Sequence, residues 1–177
     1  MATYLEDYAE GETYEFGRYA FTEQNIIAFA REFDPQAFHV DPQAAAAGPF
    51  GGLVASGFHT LSAMMRLLVD HFISPEASLG SPGMGEIRWL APVRPGDVLG
   101  ARLTVTERRL SRSRPDRGAL VQFIEMVNQD GTVVMTGDVL LTQGQNALTS
   151  QRMVVNLNTG TAQMDGRVRT VLQSGDQ

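Results

Sequence analysis

The 177-residue chain contains no cysteine, which excludes a disulfide framework, a thiolate zinc site and a cysteine nucleophile. It has no basic excess either. Fourteen basic residues against 20 acidic ones leave a net charge of −6, so neither nucleic acid nor an anionic membrane surface is an expected partner. Long hydrophobic runs are missing: the longest, around LSAMMRLLV, is interrupted by Arg66 and falls short of the roughly 20 residues that span a bilayer. MATYLEDYAEG carries no basic-then-apolar leader, and the expected compartment is the cytoplasm. No phosphate loop, dinucleotide fingerprint or Gly-x-Ser-x-Gly elbow occurs. The three histidines, His39, His59 and His71, are too scattered for a zinc or iron site, so no metal and no cofactor is expected.

What is present reads as one domain with a polar tail. Thr22 can cap a helix whose apolar positions Ile26, Phe29, Ala30 and Phe33 recur at helical spacing. Pro35 should end it at Asp34, because a proline ring drives the preceding residue toward extended geometry. Asp41-Pro42 reads as the cap and first residue of a short alanine-rich helix ending at Gly48, which makes 34–39 a tight connector. GPFGGLVASG then leads into FHTLSAMMRLLVDHFI, apolar nearly all round and so expected to be a buried helix starting at Ser56 or Gly57. From Met84 onward the texture is strand-like: Ile87 and Trp89; Leu99, Ala101, Leu103 and Val105; Val121, Phe123 and their neighbours; then Val133 to Leu141. RPGD, SRPDRG and NQDG supply the turns. The fold class is α+β, an antiparallel sheet wrapped around a long central helix. Residues 1–146 form that domain and 147–177 an extension, in which RMVVNL and RVRTVL are possible short strands.

Chemistry concentrates in two places. In REFDPQAFHVDPQ, Asp34 and His39 are five residues apart and could share one water if the connector curls, the carboxylate accepting a proton and the imidazole orienting the water or delivering one. Asp34 also follows a helix C-terminus, where a carboxylate loses ~0.3–1 kcal/mol against the dipole and becomes a slightly better base. Asp41 is already explained as a cap. In LVASGFHT, a helix start offers backbone N–H groups without internal partners, suited to a developing oxyanion, and Gly57 permits close approach. Together the two stretches describe a water beside an activated carbonyl. His59 either lines that pocket or bonds to nearby backbone, and His71 suits the negative end of its helix.

FAREFDPQAFHVD, FGGLVASGFHTL and WLAPVRPGDVL together resemble the MaoC-like dehydratases, relatives of the R-specific enoyl-CoA hydratases with the hotdog fold, over roughly residues 10 to 145. The resemblance implies Asp34 and His39 as the catalytic pair and Gly57 as the donor to a thioester carbonyl. Ser56, Phe58, His59, Met64 and Met65 are then the expected substrate-binding residues, the methionines walling the acyl chain. Three positions depart from the family pattern: Phe33 replaces a Gly, Gln36-Ala37 an Asn-Pro, and Ser56 a His. The implied reaction is (R)-specific hydration of a trans-2-enoyl thioester, or the reverse dehydration, on an acyl-CoA or acyl-carrier substrate. Arg88, Arg94, Arg112 and Arg114 are candidates for its phosphates. The family also implies a homodimer or an oligomer of dimers. An acyl-CoA thioesterase and a non-catalytic acyl-thioester-binding protein are the rival readings, because one fold hosts several functions.

Overall fold

A computed structural model describes residues 3–114 and 116–144, and the backbone of two further strands at 152–156 and 161–165. Five strands form an antiparallel sheet: β1 (Thr13–Ala20), β2 (Gly83–Trp89), β3 (Val98–Leu110), β4 (Arg117–Val127) and β5 (Val133–Gly144), in the order β1-β3-β4-β5-β2. Four helices precede or interrupt it: α1 (Glu23–Phe33), α2 (Ala37–Val40), α3 (Pro42–Ala46) and α4 (Gly57–His71). The sheet curls around α4 as the sequence predicts, and its inner face carries Leu99, Leu103, Val105, Leu120, Ile124 and Met126. A separate pair, β6 (Arg152–Asn156) and β7 (Thr161–Asp165), is also antiparallel. β6 falls on RMVVNL, whereas RVRTVL lies outside the described residues.

Local chemistry sets the helix ends. Thr22 accepts from the Asn25 N–H at 3.1 Å, and Asn25 reciprocates on the Thr22 N–H at 2.9 Å, a capping box that opens α1. The helix stops at Asp34, before Pro35, as expected. Asp41 accepts from the N–H groups of Gln43 and Ala44 and caps α3. Ser56 accepts from the Phe58 N–H at 3.2 Å and caps α4.

The structure corrects several expectations. The 34–39 connector is not wholly irregular: α2 gives its second half one helical turn and so fixes His39. Ahead of Thr22, where the sequence reading places no element, the chain contains β1, paired to β3 with a bulge between Phe16 and Tyr19. At that bulge Gly17 has φ +70°, and an added Cβ would lie 2.7 Å from Leu67 and 2.8 Å from His71, so α4 packs directly on the strand backbone. Burial of α4 is one-sided. His59, Thr60, Ala63, Met64, Leu67 and Leu68 are buried, while Phe58, Met65 and Val69 are exposed, because the sheet and α1 cover only part of the helix. Phe33 is exposed too, its ring resting on Phe29.

On β4, the outward face takes Val121 and Phe123, and the core receives Gln122 instead. Both faces of this strand are apolar, so alternation gives no register signal. Gln122 is fully buried, and neither side-chain amide atom has a hydrogen-bond partner among the described residues. An unsatisfied buried amide costs about 1–3 kcal/mol. Gln122→Met, close in shape and free of that cost, is expected to raise the unfolding free energy by about 1–3 kcal/mol in denaturant titration. A destabilised variant would show the amide to be bonded in solution.

His59 is a core residue. Its ring stacks on Phe29 at 4.6 Å, lies 4.7 Å from Phe21, and meets the Tyr19 hydroxyl through Nε2 at 3.1 Å, while Nδ1 is buried with no partner among the described residues. Burial pushes its pKa down to about 4 from 6.5. The folded protein therefore refuses a proton that the unfolded chain accepts between those values, and stability falls as pH drops from about 6.5 toward 4. A series of Tm measurements over that interval is expected to show the fall, with a shallower slope in His59→Gln; equal slopes would place the proton uptake elsewhere.

Candidate active site

An extended segment brings the two chemical stretches together. Residues 53–56 run between α2 and the loop after β2: the Val54 N–H donates to the Phe38 carbonyl at 3.2 Å, and the Ala55 N–H to the Val93 carbonyl at 2.8 Å. That path delivers Ser56 and the start of α4 to the end of α1. A cavity of about 530 Å³ opens there, lined on one side by Asp34, Gln36, Phe38 and His39 and on the other by Gly57, Phe58, Thr60 and Trp89.

Asp34 and His39 meet inside it. His39 Nε2 stands 3.3 Å from Asp34 Oδ2, with the imidazole almost fully buried and the carboxylate more open. The other ring nitrogen, Nδ1, is 2.7 Å from the Val54 carbonyl. A carbonyl only accepts, so Nδ1 carries the proton. Nε2 is therefore the variable position, a lone pair or a second N–H, and it points at the carboxylate. A fixed tautomer with Nε2 facing a carboxylate is an arrangement that can pass a proton.

Asp34 is held from both sides. Ser56 Oγ–H donates to Oδ2 at 2.7 Å, and the Gln36 amide donates to Oδ1 at 2.8 Å. The Ser56 bond is the main reason its carboxyl lies below the usual range; partial burial opposes it, and Gln36 and the His39 charge add to it. The expected effect of the helix end, a stronger base, is thus reversed: direct hydrogen bonds outweigh a solvent-screened dipole. Asp34 stays ionised at neutral pH.

Gly57 lines the cavity as the first residue of α4, and its N–H has no acceptor among the described residues. Trp89 explains the absent side chain. Its indole N–H donates to the Gly57 carbonyl at 3.0 Å, and a Cβ on Gly57 would fall 2.6 Å from the ring.

The other expected substrate-binding residues divide. Phe58 lines the cavity. Ser56 does not: it is fully buried and committed to Asp34 and the Phe58 N–H. His59 faces the aromatic core, Met64 is buried beneath the sheet, and Met65 is on the bare face of α4. Helical rotation carries both methionines away from a cavity that touches only the first turn. Thr60, Phe38, Phe50 and Trp89 were not singled out as lining residues, since nothing local marks an aromatic as a cavity wall. Gln36 was noticed only as a departure from a pattern. Among the described residues no group of three His, Asp or Glu could hold a metal, and no helix is long and apolar enough to cross a membrane.

Comparison with known proteins places the fold in a family. A family model described as the MaoC like domain matches residues 7–122. A second, the LptA/(LptD N-terminal domain) LPS transport protein, matches residues 122–173, but β4 and β5 there belong to the five-stranded sheet just described. The crystal structure of a MaoC-like dehydratase from Rhodospirillum rubrum is 39% identical, with a TM-score of 0.75 over 82% of this chain and 99% of that one. R-Hydratase PhaJ1 from Pseudomonas aeruginosa, at 19% identity and a TM-score of 0.66 over 88% and 97%, shares the fold. Among curated proteins, 3-hydroxyacyl-thioester dehydratase Z of Mycobacterium tuberculosis is 41% identical over 80 residues, 45% of this chain and 52% of the relative. An uncharacterized protein, YdeM, of Bacillus subtilis is 28% identical over 76% of this chain and 94% of its own length. With its hotdog fold and a family match covering most of the chain, this protein belongs to the MaoC-like dehydratase family.

Proposed function

We propose that the protein hydrates trans-2-enoyl thioesters to (R)-3-hydroxyacyl thioesters, or dehydrates them in reverse, using a water held by Asp34 and His39. The observation that carries this reading is the 3.3 Å contact between an ionised carboxylate and an imidazole whose Nδ1–H is fixed on Val54, facing the unpaired Gly57 N–H across one cavity. Asp34 takes a proton as the water oxygen adds to the β-carbon. Negative charge moves to the thioester oxygen, where the Gly57 N–H and the α4 dipole stabilise it. His39, which enters the cycle with both ring nitrogens protonated, gives its Nε2 proton to the α-carbon. The proton on Asp34 then passes to Nε2, and both groups return to their starting forms. The R configuration rests on the likeness to R-hydratases. No cofactor enters this sequence. Phe58 and Trp89 offer apolar walls to the acyl chain.

A homodimer fits the exposed surface. β2 ends the sheet, and Met84, Trp89 and Leu90 on or beside it, with Phe58, Met65 and Val69 on α4, are exposed apolar groups. Pairing of two β2 edges would satisfy their backbone and cover part of that surface. We place the protein in the cytoplasm, on its lack of cysteine.

Crotonyl-CoA and longer or branched enoyl thioesters separate the readings. A hydratase lowers the enoyl absorbance without releasing thiol, whereas a thioesterase releases thiol and a binder does neither. Asp34→Asn and His39→Ala are each expected to lower kcat/KM by several powers of ten; a near-normal rate in either sinks the assignment. Ser56→Ala removes the bond that most lowers the Asp34 pKa. The acid limb of the rate profile, which follows ionisation of Asp34, is therefore expected to move to higher pH in that variant; an unmoved limb would assign it to another group.

A further inference from the structure

We infer that Arg94 forms a phosphate subsite at the rim of the cavity and receives a phosphate of the thioester's carrier arm. This rests on the hydratase reading for the substrate but on separate residues for the binding. The chain contains no lysine, so arginine is its only permanently cationic side chain for an anionic group at this site. Arg88, Arg94, Arg112 and Arg114 were equal candidates by sequence, and the fold separates them. Arg88 is paired with Glu86 at 2.9 Å, and on β2 it points to the face opposite its neighbour Trp89, which lines the cavity. Arg112 and Arg114 follow the far end of β3. That strand, at about 3.3 Å per residue, carries them some 40 Å along the sheet from the loop that precedes it.

Arg94 lies in the loop that precedes β3, directly after the cavity-lining Pro92 and Val93. Its guanidinium donates to the Phe50 carbonyl at 2.7 Å, and Phe50 itself lines the cavity. Among the described residues no other arginine hydrogen-bonds a cavity-lining residue. Arg94 also has no carboxylate within ion-pair distance among the described residues. The nearest in sequence, Asp97, accepts from the Arg94 backbone N–H at 2.7 Å and from Gln129 at 3.2 Å. One donor thus orients the guanidinium, and the others stay free for an anion, in the fork geometry that suits phosphate.

The position is also set apart from the reacting groups. The Phe50 ring is 5.2 Å from Phe38, which is 4.4 Å from His39, so Arg94 stands beyond two aromatic rings from the reacting groups. A charge there meets the phosphate end of a pantetheine thioester rather than its acyl end. Coenzyme A and a carrier-protein phosphopantetheine both present such a phosphate.

Steady-state kinetics of wild type, Arg94→Gln and Arg94→Lys on three thioesters of one acyl chain test this: CoA, a carrier protein and N-acetylcysteamine, which has no phosphate. Arg94→Gln keeps a donor for the Phe50 carbonyl. It is expected to raise KM about tenfold for whichever phosphate-bearing substrate the protein uses, as one charged hydrogen bond implies. kcat and the N-acetylcysteamine KM should stay unchanged. The salt dependence of KM should weaken, and Arg94→Lys should restore part of the affinity. An equal rise for all three thioesters, or none for any, overturns the proposal. Calorimetry with free CoA and with phosphopantetheinylated carrier protein keeps it testable if nothing is turned over. A tenfold weaker ligand in Arg94→Gln upholds the subsite while the hydratase reading falls, and equal binding, or none to wild type, overturns it.

Discussion

The hydrogen bond from Ser56 to Asp34 joins the end of α1 to the beginning of α4 across 22 residues of chain. One hydroxyl donates to the carboxylate and accepts the Phe58 N–H, so the groups that would handle water and those that would meet a carbonyl share a single anchor. Pro35 makes the arrangement possible, because it ends α1 where the carboxylate must turn back. The extended segment 53–56 then fixes His39 through the Val54 carbonyl and aligns Ser56 with Asp34. Without this crossing, the three loops would be ordinary connections around a core.

Two of the departures from the family pattern lie on this anchor. Gln36 and Ser56 are the side chains that hydrogen-bond Asp34, one on each carboxylate oxygen. They therefore add donors to the acid instead of leaving it unsupported. Their combined effect lowers its pKa, making it a weaker base that is ionised over a wider range. In the proposed reaction, a weaker acceptor would put more of the proton-transfer demand on Nε2 of His39, which the Val54 bond has already oriented.

Features set by nearby residues were legible in the sequence: the Thr22, Asp41 and Ser56 caps, the stop before Pro35, the central helix and most of the meander. The Asp34 and His39 spacing was legible too, since five residues holding a proline can curl. Long-range partners were not. Nothing local shows that Gln36 turns toward Asp34, that Trp89 covers Gly57, or that His59 is enclosed by Phe21 and Phe29. The face of α4 met by the sheet depends on its other neighbours, which is why Met64 reads as a substrate wall and proves to be core. β4 hides its register because Val121 and Phe123 are as apolar as the residues that face inward.

The central claim is a matter of which substrate atom faces which group. A crystal structure of the Asp34→Asn protein with a bound enoyl or 3-hydroxyacyl thioester measures it directly. The account predicts the thioester oxygen about 3 Å from the Gly57 nitrogen and the β-carbon within one water of residue 34 and His39 Nε2. A complex with the carbonyl carbon, rather than the β-carbon, beside that pair, or with the acyl chain outside the cavity, would contradict it.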